Sequence, residues 1–209
     1  QNLGRACTVE KTLLTLVSLY AGLIPFSLSF DLLLGLPWQS PIQLIEDIRC
    51  LLAFKPDHFS IYALKLEQGT PLASRLAGTP DVMLAEERYA DEMKLAEETL
   101  AAEGFVRYEI SNFAREGSWS LHNLNYWNCG EYIGLGLNAS GHVAGRRWRN
   151  HRNMDDYLRA VEAGVLPEAD SEVLTDEQRI FERIMLALRT RWGLQRDAVP
   201  PDIWRGLYA

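Results

Sequence analysis

Cysteine is scarce in this sequence. Only Cys7, Cys50 and Cys129 occur among 209 residues, and they lie far apart. An odd number of cysteines at such spacing fits neither a disulfide framework nor a CxxC metal site. We therefore expect a reducing, cytoplasmic setting.

The chain also lacks a regular apolar run of the length that a membrane span needs. Its longest uncharged run, from Thr12 to Phe30, is interrupted by Gly22 and Pro25. We interpret this run as helix, turn and strand, and expect no transmembrane segment. The first residues show no signal-peptide pattern, and a start at Gln1 suggests that sequence precedes it.

An excess of basic residues is missing as well. The formal net charge is −7, whereas a protein that wraps nucleic acid needs a basic surface to neutralise phosphates. One basic and aromatic cluster occurs, from Gly145 to Arg152. Because the rest of the chain is acidic, we expect a small-molecule or protein partner and no nucleic acid.

The first half of the sequence alternates helical and strand patterns, which predicts βα units, a parallel sheet and the α/β class. Three parallel strands cannot close a barrel, so we expect the closing strands upstream of Gln1. The predicted elements are a helix over Thr8–Tyr20, a strand over Phe26–Leu34, a helix begun by the capping box Ser40–Gln43, a strand over Phe59–Leu66, a helix over Asp81–Glu103 and a strand over Phe105–Ile110.

The second half has a different texture. Residues 112–153 are rich in aromatic residues, asparagine and glycine and show no helical period, which predicts strands and ordered loops. Helices are predicted over Met154–Ala163 and Thr175–Arg191, with a linker between them. We therefore predict βα barrel units in 1–111, an aromatic strand and loop region in 112–153, and a helical C-terminal domain in 154–209 that is cut short at Ala209.

Asp31 is the first candidate for a functional residue. Alternation along its strand puts Ser27, Ser29 and Asp31 on one face, which we assign to the barrel interior. Functional groups of βα barrels gather where the strands end, and a carboxylate there suits ligand hydroxyls or an ammonium group. An aspartate that caps its own loop is the equally simple alternative.

Several motifs resemble those of one known family. The segment Asp31–Pro37 is similar to the DLIYGLP element of the oxygen-independent coproporphyrinogen oxidase family, and His122–Trp127 resembles the HNxxYW signature of its HemW-type haem chaperones. Further resembling elements follow in family order: Leu3–Arg5, Pro56–His58, Glu67–Pro71, Tyr108–Ala114, Tyr132–Gly136 and Arg147–Asn150.

The resemblance implies the later part of a radical S-adenosylmethionine barrel. In this family a CxxxCxxC loop holds a 4Fe–4S cluster, and no such motif occurs here, so the resemblance places that loop upstream of Gln1. Arg5 and Asp31 match residues that contact S-adenosylmethionine. His122 matches a haem-binding histidine and is the implied iron ligand, with Asn123, Tyr126 and Trp127 as the other implied haem-binding residues.

Some alternatives stay open at this stage. Spacing alone also allows His122 and Trp127 merely to pack a loop, and His142 is either a second iron ligand or a histidine in a surface turn. The arginines near Arg147 are expected to pair with porphyrin propionates. The expected function is to bind haem and deliver it to an acceptor protein. Its rivals are radical decarboxylation of coproporphyrinogen III in porphyrin biosynthesis, and an inactive truncated remnant.

Overall fold

A computed structural model describes Thr15, residues 27–76 and residues 86–207. The chain divides into two compact units, each described here by itself. Among these residues, the first unit comprises Thr15, 27–76, 86–107 and 111–118, and the second comprises 108–110 and 119–207. Apart from Thr15, the predicted helix over Thr8–Tyr20 lies outside the described residues.

The first unit is built on a four-stranded sheet in the order β1-β2-β4-β3. Strands β1 and β2 are parallel, as predicted, and β4 is antiparallel to both β2 and β3. The strands are β1 (Ser29–Leu34), β2 (His58–Ala63), β3 (Val106–Arg107) and β4 (Asn112–Ala114), and the helices are α1 (Pro41–Leu52), α2 (Pro71–Leu76) and α3 (Glu86–Ala102).

The third strand differs from the prediction. Only Val106–Arg107 of the predicted span Phe105–Ile110 is strand, and β4 lies between it and β2. The all-parallel expectation was therefore wrong at this edge. The physical reason is that β4 brings Phe113 into register with Phe59, so a short antiparallel strand buries an aromatic side chain beside β2.

The two faces of this sheet have opposite character. Phe30, Phe59 and Phe113 form a cross-strand row on the face that carries the hydrophobic core. The core is completed from α1 by Leu44 and Ile48 and from α3 by Met93, Ala96 and Leu100. Because side chains alternate along a strand, the neighbouring positions face away from the helices.

Local sequence signals explain where the helices of this unit begin and end. Ser40 caps α1: its hydroxyl accepts a hydrogen bond from the Gln43 N–H while the Gln43 side chain accepts from the Ser40 N–H. This reciprocal pair is the predicted capping box. Helix α3 ends before Gly104, whose φ of +83° is a left-handed conformation that glycine adopts readily.

The second unit contains a three-stranded antiparallel sheet in the order β5-β6-β7. Its strands are β5 (Ser140–Val143), β6 (Arg146–Asn150) and β7 (Glu168–Val173). Its helices are α4 (Leu121–Trp127), α5 (Met154–Glu162), α6 (Asp176–Ala187), a 3₁₀ turn (Arg196–Ala198) and α7 (Pro201–Gly206).

Two expectations for this unit were wrong. Helix α4 lies inside the stretch predicted to hold only strands and loops; it has seven residues, too few for a hydrophobic period to show. Strand β7 begins in the predicted linker. Its sequence is polar and shows no strand pattern, and ion pairs such as Arg147–Glu172 and Arg149–Asp170 join it to β6.

The division into 1–111, 112–153 and 154–209 stays a prediction. In the described part of the chain no helix could span a membrane.

Candidate functional site

His122 lies on the first turn of α4, which Ser120 caps by accepting a hydrogen bond from the Asn123 N–H. Residues four apart share a helix face, so the His122 and Tyr126 rings meet edge to face with centroids 4.8 Å apart. His122 is exposed, and Tyr126 is 38% exposed. The imidazole is thus open to an external ligand and backed by a phenol ring.

Tyr132 and His142 extend this contact. The Tyr132 ring lies 4.6 Å from that of Tyr126 and 6.2 Å from that of His142, measured between centroids. Backbone hydrogen bonds of 2.9 and 2.8 Å join Tyr132 and His142 in both directions. We call the set His122, Tyr126, Tyr132 and His142 the aromatic row.

Sequence reasoning missed Tyr132 as a site residue, although the segment Tyr132–Gly136 was recognised as a family element. A hydrogen-bond network holds this tyrosine in place. The Asn125 side-chain amide donates to the Glu131 carbonyl at 3.0 Å, and the Ala144 N–H donates to the Glu131 carboxylate at 2.7 Å. Asn125, on the same helix as His122, therefore fixes the loop that presents Tyr132.

The other implied haem residues are placed differently. Trp127 is five positions from His122, and at about 100° per residue it lies on another side of α4. Asn123 sits on the first turn of α4, where its backbone serves the cap. The structure thus brings His122 and Tyr126 together and sets Trp127 apart from them, while the roles of Asn123 and Trp127 in haem binding stay predictions.

His142 has the chemistry of a ligand to a transition metal. Its Nδ1 lies 3.3 Å from the Gly130 carbonyl, and its Nε2 is buried without a hydrogen-bond partner in the described part of the chain. Because a carbonyl oxygen only accepts, the contact favours a proton on Nδ1 and leaves a lone pair on Nε2. That nitrogen is enclosed, whereas the exposed His122 imidazole offers an accessible nitrogen of the kind that iron takes, so the aromatic row fits haem in the nature of its donor atoms.

A groove of about 490 Å³ lies against the sheet of this unit. Its floor includes Trp148, which packs so closely on Gly141 that a Cβ there would lie 2.2 Å from the indole ring. Tyr132 lines the groove too and connects it to the aromatic row. Arg147, expected to pair with propionates, is already paired with Glu172 at 2.8 Å and Glu182 at 2.7 Å.

The first unit holds the residue expected to contact S-adenosylmethionine. Asp31 is exposed on the face of β1 opposite the core, as the alternation of side chains predicted. It is in register with Ser60 of β2, and Ser60 is in register with Asn112 of β4. The buried Asn112 Oδ1 has no hydrogen-bond partner in the described part. These polar groups fit a ligand rich in hydrogen-bond donors. Arg5 lies outside the described residues.

His58 lies beside this polar row and is 6% exposed. Its Nδ1 is 2.9 Å from the Ser29 hydroxyl. Burial lowers the pKa of the His58 imidazole below its ordinary value, and the Asp31 carboxylate opposes the shift. Burial has the larger effect on this pKa, because it penalises the charged imidazolium form.

This lowered pKa predicts that acid destabilises the first unit. Below about pH 6.5 the unfolded chain binds a proton at position 58 that the folded chain does not bind until the pH is lower. In that window the free energy of unfolding should decrease as the pH decreases, by up to about 1.4 kcal/mol per pH unit. Urea unfolding between pH 7.5 and 5 measures it, and His58→Gln should flatten the profile. An unchanged slope in His58→Gln would contradict the assignment.

The cysteines do not form a cluster site in the described part of the chain. No group of three metal-ligating side chains occurs there. Cys50 is an exposed free thiol and Cys129 a half-buried one, while Cys7 lies outside the described residues. Burial raises the pKa of the Cys129 thiol, an effect that the nearby Arg183 opposes, so the metal-binding thiolate is disfavoured there.

No protein-family model matches the chain. Curated proteins do. The chain is 36% identical over 171 residues to the haem chaperone HemW of Mycobacterium tuberculosis, and the aligned residues cover 79% of this chain and 43% of that protein. It is 31% identical over 181 residues to HemW of Bacillus subtilis, and that alignment covers 87% of this chain and 48% of that protein. A mouse mitochondrial radical S-adenosyl methionine domain-containing protein 1 is 41% identical over 145 residues, 68% of this chain and 32% of that protein.

A comparison with solved structures supports the same family. The radical SAM enzyme coproporphyrinogen III oxidase (HemN) of Escherichia coli superposes with a TM-score of 0.77 at 16% identity, covering 98% of this chain and 49% of that one. The chain spans about half or less of the length of these proteins. Sequence and fold therefore agree that the chain belongs, as part of the length of such a protein, to the HemW and HemN-like family of radical S-adenosylmethionine proteins.

Proposed function

We propose that this protein is a haem chaperone that binds haem at the aromatic row, with His122 as the iron ligand, and passes it to an acceptor protein. The observation that carries the proposal is the exposed His122 imidazole in edge-to-face contact with the Tyr126 ring, which Tyr132 contacts in turn. The HemW relatives, whose names describe haem chaperones, support it.

Each side chain of the row has a definite task in this proposal. A neutral imidazole nitrogen of His122 donates its lone pair to iron. Tyr126 and Tyr132 offer flat, partly apolar surface to the macrocycle. Because His122 and Tyr126 are exposed, bound haem stays accessible to an acceptor, as transfer requires.

The S-adenosylmethionine site belongs to the full-length protein. There the polar groups around Asp31 would bind the hydroxyls or the ammonium group of S-adenosylmethionine, and a 4Fe–4S cluster would supply electrons for radical chemistry. The cysteines of this chain do not match a CxxxCxxC loop, so we propose that the chain alone does not cleave S-adenosylmethionine. A cytoplasmic setting is part of the same proposal.

The enzymatic alternative is decarboxylation of coproporphyrinogen III. The likeness to the Escherichia coli oxidase supports a shared fold, and at 16% identity it carries no argument for a shared reaction. Product analysis with the full-length protein separates the two functions. The remaining alternative, an inactive remnant, predicts that the purified chain shows no cooperative thermal unfolding.

A haem titration followed by absorbance tests the proposal. We expect His122→Ala to weaken haem binding at least about tenfold, since even partners of metal ligands cost 10–100-fold when removed. His151→Ala is the matched control, because His151 lies outside the aromatic row. Equal haem affinity and an equal Soret band in wild type and His122→Ala would refute the site.

A further inference from the structure

The cross-strand row Asp31, Ser60 and Asn112 is a site feature that sequence reasoning did not foresee beyond Asp31. Residues in register on neighbouring strands project from the same face of a sheet. The row crosses β1, β2 and β4 on the face opposite the phenylalanine row. The antiparallel strand β4, which replaced the expected parallel neighbour of β2, is what brings Asn112 there.

Burial makes this row unusual. Ser60 is 6% exposed and Asn112 is 4% exposed, yet the Asn112 Oδ1 has no hydrogen-bond partner in the described part of the chain. A buried acceptor without a partner costs about 1–3 kcal/mol, so such groups are rare unless water, a ligand or an ion satisfies them. Asn112 is therefore poised to accept a hydrogen bond from a molecule bound at this face.

The chemistry of the row restricts that molecule. The Asp31 carboxylate and the Asn112 carbonyl accept hydrogen bonds, and the Ser60 hydroxyl can do so as well. A ligand that bridges them must present several donors, such as a ribose diol or an ammonium group. S-Adenosylmethionine carries both.

We propose that Asn112, with Ser60, extends the Asp31 site and accepts a hydrogen bond from the ribose hydroxyls or the ammonium group of S-adenosylmethionine. This inference rests on the proposed function, in which the full-length protein binds that molecule. It assigns a ligand contact to the antiparallel strand that follows the βα units.

The test is Asn112→Leu in the full-length protein with its cluster reconstituted, with binding of S-adenosylmethionine measured by calorimetry. We expect about a tenfold loss of affinity, the equivalent of one hydrogen bond of about 1.4 kcal/mol. The melting temperature without ligand should stay unchanged or rise, because leucine removes a buried acceptor that has no partner. Asn128→Leu, the same change at an exposed helix end, should alter neither quantity.

Binding of 5′-deoxyadenosine and of methionine identifies the hydrogen-bond donor. A loss confined to 5′-deoxyadenosine assigns the contact to the ribose, and one confined to methionine assigns it to the ammonium group. Unchanged affinity of Asn112→Leu for S-adenosylmethionine overturns the inference and leaves the haem proposal intact. A lower melting temperature with an equal loss for all three ligands also overturns it, since Asn112 would then be structural. If the wild type binds no S-adenosylmethionine, the proposed cofactor itself fails.

Discussion

Gly134→Ala should destabilise the second unit by about 3 kcal/mol, the upper end of what overpacking costs. A Cβ at this position would lie 2.0 Å from the Ser140 carbonyl oxygen and 2.9 Å from the Ser140 nitrogen. These are backbone atoms, so no side-chain rotation can relieve the clash. The loop around Gly134 and the start of β5 must move apart.

The same movement should damage the proposed haem site. Tyr132 and His142 are joined by two backbone hydrogen bonds, and each lies two residues from the clash. Separation of the loop from β5 breaks this bridge and moves Tyr132 away from Tyr126. We therefore expect a weaker haem complex in Gly134→Ala, even below the melting temperature.

Urea unfolding followed by tryptophan fluorescence measures this effect. Gly206→Ala is the matched control, because a Cβ there meets no atom within 4 Å and the position lies at the end of helix α7. Its stability should stay the same or rise slightly, since alanine favours helix. A stability of Gly134→Ala equal to that of the control would mean that the loop is not packed on β5.

Local signals in the sequence predicted much of the first unit. The capping box at Ser40 fixed the start of α1, and Gly104 marked the end of α3. Alternation along β1 correctly assigned Asp31 to the face opposite Phe30. These features depend on contacts within a few residues or on a period of two, so they can be read from the sequence.

Non-local pairing was not predictable in the same way. Strand β4 has three residues, and its place beside β2 depends on the packing of Phe113 next to Phe59. Strand β7 has no hydrophobic alternation, because arginine–carboxylate pairs join it to β6. Short strands stabilised by such contacts carry no periodic signal.

The candidate haem site shows the same limit. The spacing of His122 and Tyr126 puts them on one face if the segment is helical, but the segment was predicted to be loop. Tyr132 lies against Tyr126, and a β-bridge between residues ten apart joins it to His142. Family resemblance proposed His122 as a candidate, and the structure was needed to find the contacts around it.

Glu92→Ala should destabilise the first unit by about 2–3 kcal/mol. Glu92 is 4% exposed, and its carboxylate accepts hydrogen bonds from the Gly35 N–H and the Arg88 guanidinium, both at 2.9 Å. Removing one partner of a buried ion pair costs about 3–5 kcal/mol, and the partial exposure of Arg88 reduces that figure. Alanine would leave the Gly35 N–H without its acceptor.

The loop held by Glu92 follows the strand that carries Asp31. Gly35 has a φ of +80°, and Arg88 also donates to the Gln39 carbonyl at 2.9 Å, so α3 clamps both ends of this loop. Glu98→Ala is the matched control: Glu98 lies on the same helix, is 64% exposed and only meets Lys94 at 4.0 Å. It should cost less than about 1 kcal/mol in urea unfolding. Equal losses in the two variants would show that Glu92 does not hold the loop.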